Sequence, residues 1–293
     1  MPTESDFFRF VYQRHLIWYK RFVLRQSAPW TDDLILATFK IINMYRELDT
    51  CTIYLVEKLK GVSERTTVLV NVVFYRFFNL CNLYEDLGID VLSTFDARVR
   101  DLLIERFDSL KKSGRPIFNN AYLISSGGRG SKHGNVLSYL SIVNWSRLVT
   151  DLDQSTTPEE SFDYLMNIPM VGPFLACEMW TDLTYVKWFK QGWTDNDFVN
   201  IGPGAKWGLE LLYGKMNPAG LEKKLRGLYE KQWQVLPTIH EELGEELSWK
   251  EIAFRGASSN YPFLSITNVE GALCEFRKYW NISHGVGRRK YFH

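Results

Sequence analysis

Cysteine and histidine are sparse in this chain, with four Cys and five His. Cys51, Cys81, Cys177 and Cys274 lie far apart in apolar or aromatic surroundings, and no C-x-x-C pair occurs. That excludes a zinc-ribbon framework and reads as reduced core residues. The scattered histidines give no metal-ligand spacing, so no metal site is expected. No apolar run approaches the roughly 18 to 20 residues that span a bilayer, and the opening MPTESDFFRFVYQRH lacks the apolar stretch of a signal peptide. The expected location is cytoplasmic, with no membrane partner. Net charge is equally scarce: a formal +1 argues against non-specific coating of nucleic acid. Repeats and low-complexity tracts are absent too.

What is present is apolar and aromatic. Of 293 residues, 45% are apolar and 15% aromatic, with fifteen Tyr, ten Trp and nineteen Phe, enough for one large core or two modest ones. The ends are basic: Arg14, Lys20, Arg21 and Arg25 at one, Arg277, Lys278, Arg288, Arg289 and Lys290 at the other. Helical spacing predicts helices over residues 5–25, 32–59 (N-capped by Thr31 or Asp32), 66–86, 97–112, 136–151, 158–167 and from 173 into the 180s. Residues 121–135, AYLISSGGRGSKHGN, hold four Gly and three Ser and read as a loop. No regular strand series is visible. The expected class is all-α, with at most a short hairpin.

The stretch LMNIPMVGPFLACEMW, residues 165–180, breaks two helices with a turn. Pro169 disfavours helix at Ile168, Gly172 allows close backbone approach, and Pro173 suits the first position of a new helix. Such a turn presents backbone N–H groups at a helix N-terminus, suited to one phosphate. It resembles the helix-hairpin-helix of DNA glycosylases, whose hairpin reads roughly L-P-G-V-G-x-x-T-A and grips the DNA backbone; Met170 stands in place of the first hairpin glycine. The resemblance implies DNA contact by Val171, Gly172 and Phe174. It also implies a catalytic aspartate some twenty residues on, and Asp195 and Asp197 follow Gly172 by 23 and 25 residues. Asp197-Phe198-Val199-Asn200 resembles the start of the glycosylase helix that carries this aspartate. Ile201-Gly202-Pro203-Gly204-Ala205 reads as a second backbone-donor loop for an anion or a base edge.

A wider resemblance covers almost the whole chain. APWTDDLILATFKIINMYRELDT, FYRFFN, FNNAYLISSGG, DFVNIGPGAK and VEGALCEFRKYW…GVGRRKYF occur in the order seen in the phage-associated α-glutamyl/putrescinyl thymine pyrophosphorylases. The resemblance implies a helix-hairpin-helix DNA glycosylase-like fold with two helical lobes around a central cleft. The approximate lobes are residues 1–135, 136–215 carrying the hairpin, and 216–293 with the basic tail. It implies an amine or amino-acid:DNA transferase of thymidine hypermodification. A 5-hydroxymethyluracil DNA kinase, as functional partner, first pyrophosphorylates the base in double-stranded DNA; an amine or amino acid then displaces the pyrophosphate in the infected bacterial cell.

Pyrophosphate is a good leaving group, so this chemistry requires no cofactor, and magnesium accompanying the pyrophosphate is compatible with it. It needs base flipping, cations where charge develops, and a carboxylate to accept the amine's proton. Asp197 is the leading carboxylate, with Asp195 and Glu275 as alternates; Cys274, flanked by apolar residues, reads as packing and less as a nucleophile. Arg46, Arg76, Lys278, Arg288, Arg289 and Lys290, with Asn200, Gly202 and Gly204, are the candidates for holding the substrate and its pyrophosphate. For Arg46 and Arg76 the alternative is an internal ion pair, for instance with Glu47, Asp49 or Glu85. The competing functions are a monofunctional glycosylase, a non-catalytic DNA-binding protein and a protein-binding module.

Overall fold

The computed structural model describes residues 1–120, 124–244 and 263–287. Among these the chain is all-helical, with no β-strand, and its thirteen α-helices follow one another as α1 (Glu4–Trp18), α2 (Leu34–Thr38), α3 (Thr50–Lys58), α4 (Arg65–Phe78), α5 (Leu83–Leu87), α6 (Ala97–Lys112), α7 (Lys132–Leu140), α8 (Trp145–Gln154), α9 (Pro158–Met166), α10 (Pro173–Tyr185), α11 (Pro203–Tyr213), α12 (Pro218–Leu243) and α13 (Ile266–Ser283). The packing divides them into two compact units, Met1–Asp49 with Ile201–His293, and Thr50–Asn200. The second unit is continuous in sequence; the first joins the two ends of the chain.

Local chemistry explains most helix ends. Thr3 and Asp6 form a reciprocal capping box that starts α1. Asp96 Oδ1 accepts from the N–H groups of Arg98 and Val99 to start α6, and Ser265 Oγ accepts from Asn268 to start α13. Pro158, Pro173, Pro203 and Pro218 each occupy a first-turn position, where the missing N–H costs least.

The helix expected over residues 32–59 is not continuous. α2 is capped by Asp33, not by Thr31 or Asp32, and ends at Phe39 in extended backbone; a single 3-10 turn follows at Arg46–Leu48 before α3. The intervening segment spends its backbone groups on distant side chains. Arg14 Nε donates to Ile41 O at 3.0 Å, and Ile42 N donates to Glu275 Oε2 at 3.1 Å. Tertiary partners thus override a helical apolar period. The run expected over residues 136–151 is likewise split between α7 and α8.

In the first unit, Phe7 and Phe10 of α1 pack on Phe276 of α13 with ring centroids 5.5 Å apart. Helices α11 and α13 touch closely because α11 carries glycines at 204 and 208. A Cβ on Gly204 would lie 2.2 Å from Cys274 Sγ, and one on Gly208 2.4 Å from the Leu273 carbonyl oxygen. The second unit has a contiguous apolar core built mainly by α4, α6 and α10, including Phe74, Phe78, Phe107, Met179 and Trp180.

Candidate functional site

In the second unit the stretch 158–185 forms helix, turn and helix. α9 ends at Met166, Val171 N bonds back to Ile168 O at 3.0 Å, and α10 starts at Pro173 with Gly172 as its cap. Met170, at the position of the hairpin glycine in the glycosylase pattern, adopts φ +67°, the left-handed conformation that glycine takes most easily. Its thioether lies against Gly127, where an added Cβ would meet Met170 Sδ at 2.7 Å. The glycine-rich loop and the turn are therefore neighbours. Around Gly172 a Cβ would find open space, and Phe174 is 54% exposed. The Val171 side chain, in contrast, is buried with the core, and its N–H is taken by the Ile168 carbonyl.

After α10 the chain makes a turn over residues 195–197, not the start of a helix. Asp197 is exposed, and its Oδ2 accepts from Thr194 N at 2.7 Å and Thr194 Oγ1 at 2.8 Å, which braces the turn. Asp195 is buried, with the Tyr185 hydroxyl 3.4 Å from its Oδ2. Asn200 is half-buried in the extended segment that closes this unit. Phe198, between them, packs on Phe162 and Trp180.

Arg76 lies wholly inside the second unit. Its Nε donates to Asp182 Oδ2, Nη2 to Asp182 Oδ1 at 2.7 Å and to Thr52 Oγ1 at 2.9 Å, and Nη1 to Asn79 Oδ1 at 2.7 Å, with Glu178 at 3.8 Å. The guanidinium is spent on internal partners, which corrects its assignment to pyrophosphate. The ion-pair alternative holds, with Asp182 as partner in place of Glu47, Asp49 or Glu85. A buried arginine must be matched in this way, because an unmatched charge in low dielectric is strongly unfavourable.

In the first unit a cavity of about 520 Å³ opens along one face of α13 and the turn beyond it, lined by Cys274, Glu275, Arg277, Lys278, Asn281 and Val286 among others. Positions 274, 277, 278 and 281 follow helical spacing, which aligns their side chains on one stripe. Glu275, 8% exposed, accepts from Ile42 N and, at 3.2 Å, from Lys278 Nζ; Lys278 also donates to the Lys40 carbonyl. Arg14, buried nearby with its pKa lowered to about 10 by burial, is partly sustained by the Glu275 charge. The Cys274 thiol is pushed up to about 11, by burial first and then by Glu275, and its sulfur abuts Gly204; it packs and stays protonated.

The loop read as an anion cradle is filled from within. Gly202 N donates to Glu270 Oε1 at 3.0 Å, so this chain's own carboxylate takes the donor at the start of α11. Gly204 serves helix packing instead. Arg46 is half-buried in the 3-10 turn, its N–H bonded to Asn268 Oδ1 at 2.9 Å. Arg288, Arg289 and Lys290 lie outside the described residues. The structure thus gathers Glu275 and Lys278 of the expected set and adds Arg277 and, beside it on α11, Trp207, whose ring centroid is 4.2 Å from the Arg277 guanidinium carbon. The i, i+3, i+4, i+7 pattern of polar residues on α13 was the available signal for this face. Among the described residues no group of three or more His, Cys, Asp or Glu is placed to hold a metal ion, and no helix is long and apolar enough to cross a membrane.

Comparison with known proteins adds the lineage. Residues 2–288 match the family model described as 5-hmdU DNA kinase, helical domain. The chain belongs to this family. It is 26% identical over 297 residues to the 5-hmdU DNA kinase of Bacillus phage SP10, an alignment that covers 92% of this chain and 43% of that protein. The chain therefore spans less than half the length of this relative. No solved structure matches it.

Proposed function

We propose that this chain acts in phage thymine hypermodification on DNA bearing 5-hydroxymethyluracil, displacing pyrophosphate from the pyrophosphorylated hydroxymethyl group with an amine or amino acid. The observation that carries this reading is the α13 cavity, where one carboxylate and two cations share a wall. Displacement requires both. The amine nitrogen bonds to the C5 methylene carbon as the carbon–oxygen bond breaks and its electron pair leaves with pyrophosphate; the amine gives up a proton. Glu275 lines this cavity, which favours it among the three candidate carboxylates as the group that orients an ammonium and takes its proton. Arg277 and Lys278 offer charge where the pyrophosphate develops it. The turn at Met170–Gly172 with the adjoining glycine-rich loop supplies backbone donors for DNA phosphates, in the manner of a helix-hairpin-helix.

A second reading, favoured by the name of the relative, places the chain in the kinase step, holding 5-hmdU in DNA during phosphoryl transfer. The sequence contains no Gly-x4-Gly-Lys-Ser/Thr run, so a nucleoside triphosphate cradle of that type is not supplied by these residues. One experiment separates the two. DNA carrying 5-pyrophosphoryloxymethyluracil, and DNA carrying 5-hydroxymethyluracil with ATP, are incubated with the chain and a mixture of amines and amino acids, and the digested nucleosides are weighed by mass spectrometry. An amine adduct with released pyrophosphate supports the transferase; a phosphate gain only on the second DNA supports the kinase step. Abasic sites and free base would overturn both in favour of a glycosylase.

A further inference from the structure

Trp207 stands out on α11. Its helix buries Ala205, Gly208, Leu209 and Leu212, yet the indole is 49% exposed and carries a guanidinium over its ring. The neighbouring Lys206 on α11 and Lys278 on α13 are matched, with Glu210 and Glu275. Arg277 has no ion pair among the described residues. Arg277 is half-buried and Trp207 exposed, and one such cation–π contact adds little to folding, so stability alone does not account for leaving the large indole at the surface.

Two further observations connect the pair to the cavity. Arg277 itself lines the cavity, and Trp207 holds its guanidinium from α11. The approach is set closely: Gly204, one turn before Trp207, and Gly208, next to it, bring α11 against Cys274 and Leu273, one turn before Arg277, and a side chain at either glycine would push the helices apart. A guanidinium stacked on an indole keeps its in-plane N–H edge directed outward, where it can bond phosphate oxygens in a fork, while the aromatic surface offers a face for a base.

We propose that Trp207 and Arg277 form the recognition platform of this cavity for an unstacked pyrimidine nucleotide, the base stacking on the Trp207–Arg277 pair and a phosphate or pyrophosphate group on its 5-methylene reaching Arg277 and Lys278. This deepens the reading of the α13 cavity given above and rests on it for the class of substrate. The stacking tolerates any pyrimidine, because every base has a π face; selection for the modified base comes from the cations.

The test is binding, which proceeds without transfer. Fluorescence anisotropy is measured on the full chain with a labelled duplex carrying one unpaired 5-hydroxymethyluracil and with its fully paired counterpart, each titrated with inorganic pyrophosphate as competitor. The wild type binds the unpaired duplex more tightly; Trp207→Ala lowers that preference by about tenfold and leaves the paired duplex unchanged, whereas Trp207→Phe keeps most of it. Arg277→Gln weakens competition by pyrophosphate as well. An unchanged preference in Trp207→Ala, with a thermal unfolding curve like the wild type's, overturns the platform even if amine transfer is found. Loss of preference together with an absent amine adduct keeps the platform and removes the transferase.

Discussion

Arg76 in the second unit and Arg277 in the first carry the same guanidinium, and their surroundings divide its five donors in opposite ways. Around Arg76, Asp182 takes two donors in a fork, Asn79 and Thr52 take two more, and Glu178 stands 3.8 Å away; the side chain is 0% exposed. Around Arg277 there is an indole face and a cavity, with no carboxylate in contact among the described residues. In the interior, geometry must satisfy every donor, because water cannot. At a cavity rim, donors are kept open for something else. The contrast teaches that charge within an apolar helical stretch is not evidence of a binding role. The fate of the donors decides.

The sharpest way to break the comparison is to remove the partner from the closed case. Asp182→Ala leaves the Arg76 charge buried with its main ligand gone, and a stability loss of about 3–5 kcal/mol is expected. Set against a total stability of roughly 5–15 kcal/mol, that suffices to unfold much of the protein. Urea denaturation followed by far-ultraviolet circular dichroism measures it. A loss below about 1 kcal/mol would mean that the fork is not holding this core.

The first unit also has a closed interior, and acid should find it. His15 is buried between Trp18, stacked at 5.5 Å, and Tyr45, edge-on at 5.0 Å, and its pKa is lowered from 6.5 to about 3, by burial first and by the neighbouring Arg14 second. Between pH 3 and 6.5 the unfolded chain holds a proton on this ring that the folded chain does not. Stability is therefore lost as pH falls through that window, with a slope approaching about 1.4 kcal/mol per pH unit. Denaturation midpoints measured from pH 7 down to pH 4 should show the slope, and His15→Asn should flatten it. An equal slope in the variant would place the titration elsewhere.

How far such environments can be read from sequence differs by element. α6 was legible because Asp96 starts it and basic residues followed by Gly114 end it; the turn between α9 and α10 was legible because Pro169, Gly172 and Pro173 act on their own backbone. These are local effects. The break after α2 was not legible, since Glu275 binds the Ile42 N–H from 233 residues away. Asp195 and Asp197 look alike in sequence, yet the turn buries one and exposes the other. Cys51 and Cys81, 30 residues apart, bring their sulfurs to 3.2 Å without any spacing motif. At the cavity Glu275 and Lys278 were found through the family resemblance, while Trp207 required knowing which helix α13 touches. Glycines 204 and 208, four apart on one face, carried that information for close helix contact, but not its partner.

That contact can be tested by a methyl group. In Gly208→Ala the new Cβ meets the Leu273 backbone carbonyl, which cannot rotate aside, and a loss of about 1–3 kcal/mol is expected from overpacking. Gly227→Ala in α12 is the control: no atom lies within 4 Å of its Cβ, and replacing a helical glycine should stabilise by about 0.5–1 kcal/mol. Thermal unfolding of the two variants should move in opposite directions. If Gly208→Ala is also stabilising, α11 and α13 are not held at this distance, and the Trp207–Arg277 contact loses its rigid support.

The smallest effect on stability belongs to the open arginine. Arg277→Gln removes one cation–π contact at the half-exposed surface, expected to cost about 0.5–1 kcal/mol, several times below the loss at Asp182. Its effect on DNA should be read through salt. A side chain that neutralises one phosphate releases about one counterion, so the slope of log K against log salt should fall by about one in Arg277→Gln. Binding of DNA measured from 50 to 200 mM salt checks this. An unchanged slope would mean that the Arg277 donors do not meet phosphate, and the two arginines would then differ in exposure without differing in use.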